Sequence, residues 1–393
     1  MTFQFPPAAS HVIVINAISV REGGSLVVLL ELLQRFTVLR PQWRWHVTTN
    51  AQAHAALSKS PDLAMVDWHV WPDHAIGGGR ICWWYETELP RLLAKSGATL
   101  LFSQTNYLPL RSLPCPALLL IQHAGHFSEE FRELTERDTG LAPKLGSRLK
   151  RLWVLKSACA ANRVTVQTAA LAERIVAETG IPASRLTIIP HGPGQALRQN
   201  SDSKDFPELS RPVRIGYITK YGVQKNFAVL FTAAAIMRAR GRQPIIVLTL
   251  RHDHPTTKLV LKQAQQAGIA CCIENHGEIN RVAIDRLYHS LDLFVFPSLC
   301  ESFGFPLVEA LAYGLPVIAS DTPSNAEVLG SAGYLFPRHD AFALAQALDI
   351  LLGDPVRYRA VASASLDRGS FYDWDSSALA NLALIDAMLS PLD

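Results

Sequence analysis

Much that would narrow the choice is missing from this sequence. No stretch reaches the roughly 18 consecutive apolar residues of a membrane-spanning helix. The opening residues, MTFQFPPAASHVIVINA, lack a basic segment followed by a long apolar one, so no secretory leader is expected. The six cysteines are Cys82, Cys115, Cys159, Cys271, Cys272 and Cys300. None sits in a C-x-x-C or Cys/His ligand spacing, which reads as reduced core thiols in a reducing compartment. Charge of one sign is scarce too. Lys and Arg number 37 against 34 Asp and Glu, a net charge of +3, far from the balance of a nucleic-acid-coating protein, so any cationic surface must be local. There is no G-x-G-x-x-G fingerprint, which counts against a nicotinamide-dependent oxidoreductase, and no low-complexity segment or short repeat.

What remains is a globular chain of 393 residues, 49% hydrophobic and 18% charged, long enough for two domains. Short apolar runs alternate with helical patterns: HVIVIN (11–16), the glycine-led helix GGSLVVLLELLQRF (23–36), ATLLFS (98–103), PALLLIQ (116–122), NRVTVQT (162–168) and RLTIIP (185–190). A polar, aperiodic stretch around 193–211 reads as a linker. The alternation then resumes with PVRIGYI (212–218), NFAVLFTAAAIMRAR (226–240), PIIVLTL (244–250), LDLFVFPS (291–298) and PVIAS (316–320). Strand–helix alternation of this kind predicts parallel sheets with crossover helices.

The most informative segment is CESFGFPLVEALAYGLPVIASD (300–321). It should leave the carboxyl end of a doubly buried strand, pass through a loop bearing Glu301, and start a helix near Pro306, with Glu309 in its first turns and Gly314 at its end. A helix start has unpaired N–H groups and a positive dipole end, and Gly304 lets its backbone approach a ligand. A diphosphate flanked by sugar hydroxyls suits that place. On spacing alone, a dipole-favoured Glu309 and a surface Glu301 explain the pattern as well.

The wider segment 285–337, with E-x7-E around F-G-F-P, resembles the C-terminal half of the large family of retaining glycosyltransferases that includes bacterial lipopolysaccharide and polysaccharide mannosyl- and glucosyltransferases. The closing FYDWDSSALANL is similar to that family's tryptophan-bearing last helix. The resemblance implies a GT-B fold: α/β, two doubly wound Rossmann-like domains facing a central cleft. Expected boundaries are 1–198 for an acceptor-side domain, 199–211 for the linker and 212–375 for a nucleotide-sugar domain, with the helix at 376–393 packing back on the first domain. Carried over residue by residue, it implies that Glu301 holds donor-sugar hydroxyls and Glu309 the nucleotide ribose. The Phe303–Gly304–Phe305 backbone and Leu307 would meet the donor.

Lys225, before a helix that Asn226 is expected to cap, resembles the family's basic motif and would neutralise the departing diphosphate. The arginine usual just after the preceding glycine is absent, since Gly216 is followed by Tyr217; Lys220 is the candidate substitute. The resemblance further implies donor contacts at Gly23, Gly24 and Ile279, the last in a base-contacting turn with Asn275, His276 and Gly277. It puts His123 against the donor sugar, with His126 as fallback, and leaves His191 structural. Asp373-Trp374-Asp375 reads as part of a terminal helix rather than a metal-binding D-x-D. No metal or cofactor is expected beyond a nucleotide-sugar donor, with GDP-mannose favoured. The acceptor would be a glycan or lipid-linked glycan in cell-surface polysaccharide or lipopolysaccharide synthesis, and nucleic acid is not an expected partner.

The segment 143–163 sets Lys144, Arg148, Lys150, Arg151 and Lys156 around Leu149, Leu152, Trp153 and Leu155. That is the pattern of a helix lying on an anionic membrane, or equally of a solvated helix with its apolar stripe inward. The expected location is cytoplasmic, with peripheral contact to the inner face of the plasma membrane. Two other readings stay open: a nucleotide-sugar epimerase on the same framework, which would release sugar without acceptor, and a non-catalytic nucleotide-sugar-binding protein, which would tolerate loss of Lys225.

Overall fold

The computed structural model describes residues 11–73, 79–136, 141–194, 202–208 and 210–390. The chain divides into two compact units. One comprises Met1–Phe127, Thr139–His191 and Trp374–Asp393; the other comprises Ser128–Asp138 and Gly192–Asp373.

The first unit carries seven parallel strands: β1 (Val12–Ala17), β2 (Arg44–Asn50), β3 (Asp67–Trp71), β4 (Leu100–Ser103), β5 (Ala117–Leu120), β6 (Arg163–Val166) and β7 (Leu186–Ile188), in the order β3-β2-β1-β4-β5-β6-β7. β1, β4 and β5 are the apolar runs read from the sequence. β2 and β3 are the polar, aromatic runs RWHVTTN and DWHVW, whose histidines and charges hide a strand from a hydrophobicity reading. β3 lies at the edge of the sheet, where one side needs no apolar cover. Phe36 of helix Gly24–Leu39 stacks on Trp45 of β2 at 5.3 Å, closing the core on one face.

Helix Trp374–Leu389 belongs to this first unit. Arg35 pairs with Asp375 at 2.5 Å and Arg40 with Asp386 at 2.7 Å. At its head Trp374 stacks on the buried ring of His191, 5.3 Å between centroids. Asp375 is thus an ion-pair partner of an arginine, and among the described residues no cluster of three or more His, Cys, Asp or Glu could hold a metal ion.

The second unit carries β8 (Val213–Tyr217), β9 (Pro244–Leu248), β10 (Ile273–Asn275), β11 (Leu293–Phe296), β12 (Val317–Ser320) and β13 (Tyr334–Phe336), all parallel, in the order β10-β9-β8-β11-β12-β13. Counting from its own first strand, this is 3-2-1-4-5-6, the doubly wound order in which winding reverses between the first and fourth strands and ligands bind at the carboxyl ends beside that reversal. Phe294, Phe296, Tyr217, Leu307 and Tyr288 are all buried in one core. Of the stretch 193–211 read as a linker, residues 195–201 and 209 lie outside the described residues. Residues 202–208 pack on this unit, with the Lys204 N–H donating to the Gly314 carbonyl at 3.3 Å and Phe206 edge-on to Tyr358.

Two expectations are corrected here. The cysteines are not uniformly core residues: Cys82, Cys159 and Cys271 are exposed, and only Cys272 and Cys300 are buried. Asn226 does not cap the helix Phe227–Ala239 through its side chain. It adopts a left-handed backbone (φ 47°) and donates instead to the Arg338 carbonyl at 2.8 Å, so the side chain is already committed.

Burial holds His191 far below the ordinary histidine value, to about 3. The folded chain therefore keeps it neutral, while the unfolded chain protonates it below about pH 6.5. Stability is full above that pH and falls as pH drops, by up to about 1.4 kcal/mol per unit from this residue. The midpoint of urea unfolding should therefore decline between pH 7 and 4, and His191→Phe, which keeps a ring on Trp374, should flatten the decline. An unchanged slope in the variant would contradict the assignment.

Candidate active site

At the winding reversal of the second unit, β8 and β11 run side by side, Gly216 opposite Phe294, and their following loops bring two charges together. Lys225 ends the single turn Val223–Lys225 after β8, and Glu301 lies in the loop after β11. The lysine ammonium meets Glu301 Oε1 at 2.6 Å, with both side chains mostly covered (12% and 16% exposed). Ser298 donates to the same oxygen at 2.5 Å. The two loops are also tied through backbone, the Leu299 N–H donating to the Gln224 carbonyl at 2.9 Å.

Both ends of this pair are held from below. The buried Tyr217 donates to the Lys225 carbonyl at 2.9 Å, so the residue standing where an arginine was looked for fixes the lysine loop. The Ser298 carbonyl accepts from Ser320 at 2.5 Å and from Asn325 at 3.2 Å, all three residues fully buried. Ser298 and Asn325 were missed in the sequence. Ser298 stood in plain sight in LDLFVFPS, at the strand end where ligands collect, but a lone serine has no spacing to flag it.

Helix Phe305–Ala312 starts one residue earlier than expected. Gly304 precedes it with φ 85° and ψ 67°, a left-handed backbone, and a methyl group there would lie 3.1 Å from the Phe296 ring. Phe303 is buried between Phe305 and Tyr372, which takes its ring out of reach of a ligand. Leu307 departs from expectation. Its side chain is wholly buried and its N–H donates to the Gly304 carbonyl at 2.9 Å, which removes it from the donor contacts. Glu309 is 6% exposed, its Oε2 accepting from the Tyr288 hydroxyl at 2.5 Å.

Lys220, also beyond β8, faces Glu278 at 3.4 Å, both side chains half-exposed. Ile279 is half-buried against the core of the unit. In the turn before it, Gly277 (φ 72°) lies under the His252 ring, while the Asn275 side chain both accepts from and donates to Leu250 backbone at 2.8 Å.

Gly23, Gly24 and His123 belong to the first unit. Gly23 (φ 67°) precedes the helix that Gly24 begins, and a methyl group there would meet nothing within 4 Å. His123 is exposed beyond β5, its backbone N–H held by the Asn106 side chain at 3.2 Å and its ring 4.9 Å from that of His126. Burial, then the nearby His123, Lys150 and Arg151 charges, push His126 down to about 4, so it is neutral at pH 7. Helix Leu141–Ala160 turns Trp153 inward, its indole N–H donating to the Leu108 carbonyl at 2.7 Å, so Trp153 is not on the outer face. That face carries Leu145, Leu149 and Leu152, each at least half-exposed. Among the described residues no helix is long and apolar enough to cross a membrane.

Residues 199–366 match the family described as "Glycosyl transferases group 1". A glycogen synthase of Mycobacterium tuberculosis is 28% identical over 201 residues, 48% of each chain. A phosphatidyl-myo-inositol mannosyltransferase of Mycolicibacterium smegmatis is 36% identical over 156 residues, 38% of this chain and 39% of that one. The matches thus span about half or less of these curated relatives. Among solved structures, Anabaena Alr3699/HepE in complex with UDP-glucose superimposes with TM-score 0.70 at 14% identity, covering 96% of this chain and all of that one.

The Gly304 backbone yields a test independent of chemistry. Gly304→Ala should cost about 1–2 kcal/mol through the left-handed conformation, besides the contact with Phe296. Urea denaturation measures it, and a loss under about 0.5 kcal/mol would show that the loop relaxes freely.

Proposed function

We propose that this chain, a GT-B protein of the group 1 glycosyl transferases through residues 199–366, moves a hexosyl unit from a nucleotide-sugar to a glycan hydroxyl. The observation that carries the reading is the Lys225–Glu301 pair at the strand ends beside the winding reversal, directly before the helix that bears Glu309. A cation and a hydroxyl acceptor side by side match the two halves of a sugar phosphate. In this reading the donor diphosphate lies along Lys225 and the Gly304–Phe305 backbone, its sugar hydroxyls reach Glu301, and its ribose reaches Glu309. Lys225 stabilises charge on the leaving diphosphate as the glycosidic bond breaks.

No side chain is assigned as a covalent nucleophile. The acceptor hydroxyl attacks from the face the diphosphate leaves, giving its proton to a phosphate oxygen, and the anomeric configuration is retained. Glu301 orients the sugar, and Lys220 is the second candidate for the phosphate. The mannosyltransferase relatives favour mannose; GDP-mannose is the donor proposed with it, and the proposed acceptor is a polysaccharide or lipid-linked glycan. The exposed Leu145–Leu149–Leu152 stripe, flanked by Arg148 and Lys150, supports docking of helix Leu141–Ala160 on an anionic membrane.

Nucleotide release from GDP-mannose, UDP-glucose and ADP-glucose, with and without glycan acceptor, tests this reading. Acceptor-dependent release supports it, acceptor-independent sugar release points to an epimerase, and binding without turnover to a sensor. Glu309→Ala should raise the donor KM at least about tenfold. Lys225→Ala should lower kcat by about 10²–10³-fold, with folding checked separately because breaking a covered ion pair is itself costly. A smaller drop in Lys220→Ala would show that Lys220 shares the phosphate. For the membrane, flotation with phosphatidylglycerol vesicles at low salt should carry the protein upward, and Leu149→Glu should abolish this; protein left at the bottom in both cases refutes docking.

A further inference from the structure

Glu309 is gripped from two sides. Tyr288, on helix Arg281–Ser290, is fully buried and gives its hydroxyl to Oε2 at 2.5 Å. On the other side the backbone passes so close that a methyl group on Gly194 would stand 2.5 Å from Oε1 and 2.9 Å from Phe305 Cβ. The tyrosine is itself immobilised, its ring stacked flat on Tyr313 at 4.8 Å and 8°, while Tyr313 donates to Asp285 at 2.6 Å. Neither tyrosine lies between the two glutamates, and Tyr288 precedes Glu309 by 21 positions.

We propose that Tyr288 is a positioning residue for nucleotide recognition: it holds Oε2 of Glu309 so that the carboxylate keeps one fixed direction for the ribose hydroxyls. A carboxylate on a free side chain loses rotamer freedom when it binds a diol, whereas one already fixed by a short charge-assisted bond has lost it in advance. Burial, and then the Glu309 charge, keep the Tyr288 phenol well above its ordinary value, so it remains a donor throughout the working pH range. The glycine at 194 fits the same arrangement, since any larger residue would collide with Oε1 and turn the carboxylate.

This inference rests on the reading that Glu309 meets the ribose, and the experiment separates the two. GDP, UDP and ADP are titrated calorimetrically into the full chain, and the tightest serves as probe for Tyr288→Phe, Glu309→Gln and the double variant. Tyr288→Phe is expected to weaken binding about fivefold to tenfold, as loss of a hydrogen bond to a charged group should, and to raise the donor KM in step while kcat and acceptor KM stay within about twofold. In the Glu309→Gln background the same change should add nothing beyond about twofold, because the tyrosine acts only through the carboxylate. Affinity within twofold of wild type for Tyr288→Phe, or full additivity in the double variant, overturns the positioning role. An inert Glu309→Gln instead overturns the ribose reading beneath it. Should loss of the hydroxyl prevent folding, Glu309→Asp carries the test. It keeps the charge but withdraws it from Tyr288, so it should bind as weakly as Glu309→Gln, and wild-type affinity would refute the inference.

Discussion

Lys225 and Glu301 stand in contact because two adjacent parallel strands, β8 and β11, are separated by 75 residues of sequence and by a reversal of winding. Their connections leave in opposite directions across the sheet, so no helix or loop of the next crossover fills the space above their carboxyl ends. Whatever projects there is both held by the sheet and open to a ligand. The pair fills that gap, and the surrounding network serves to hold it: Tyr217 from β8, Ser298 after β11, Ser320 at the end of β12 and Asn325 beyond it.

The energetic logic of such a pair is conditional. An ammonium and a carboxylate this well covered gain from each other only if their remaining valences are satisfied, and losing one strands the other. Ser298 supplies the second bond to Glu301, and the buried serine–asparagine cluster fixes Ser298 in turn. Glu309 is handled in the same way, through Tyr288 and the stacked Tyr313. Each of the two carboxylates is therefore oriented by a buried hydroxyl. That arrangement suits recognition of a polyhydroxylated ligand, where direction matters more than charge.

Much of this fold was readable in the chain. The continuous apolar runs at β1, β4, β5, β8, β9, β11 and β12 mark strands covered on both faces, and the glycines at 304 and 314 bracket a short helix because their backbone turns left-handed there. Strands β2 and β3 escaped because their residues are aromatic and ionisable, and the three-residue β10 and β13 escaped as well. Asn226 looked like a helix cap, yet a carbonyl 112 positions away claimed its side chain. Trp153 fitted a membrane face and an inward stripe alike, and a carbonyl 45 positions back turned it inward. Leu307 read as a ligand contact through the family resemblance, although the helical turn points it into the core.

Local sequence determined, by itself, which continuously apolar segments are strands, where glycine must break a helix, and that Glu301 and Glu309 flank a helix start. Those features depend on periodicity and backbone sterics over a few residues. Tertiary structure alone decided that Lys225 meets Glu301 across 76 positions, that Tyr288 rather than solvent holds Glu309, and that Ser298 stands between a charge and a buried amide. The physical reason is that hydrogen-bond partners are chosen by distance in space. In a doubly wound sheet, the residues that share a strand end come from opposite sides of a long crossover.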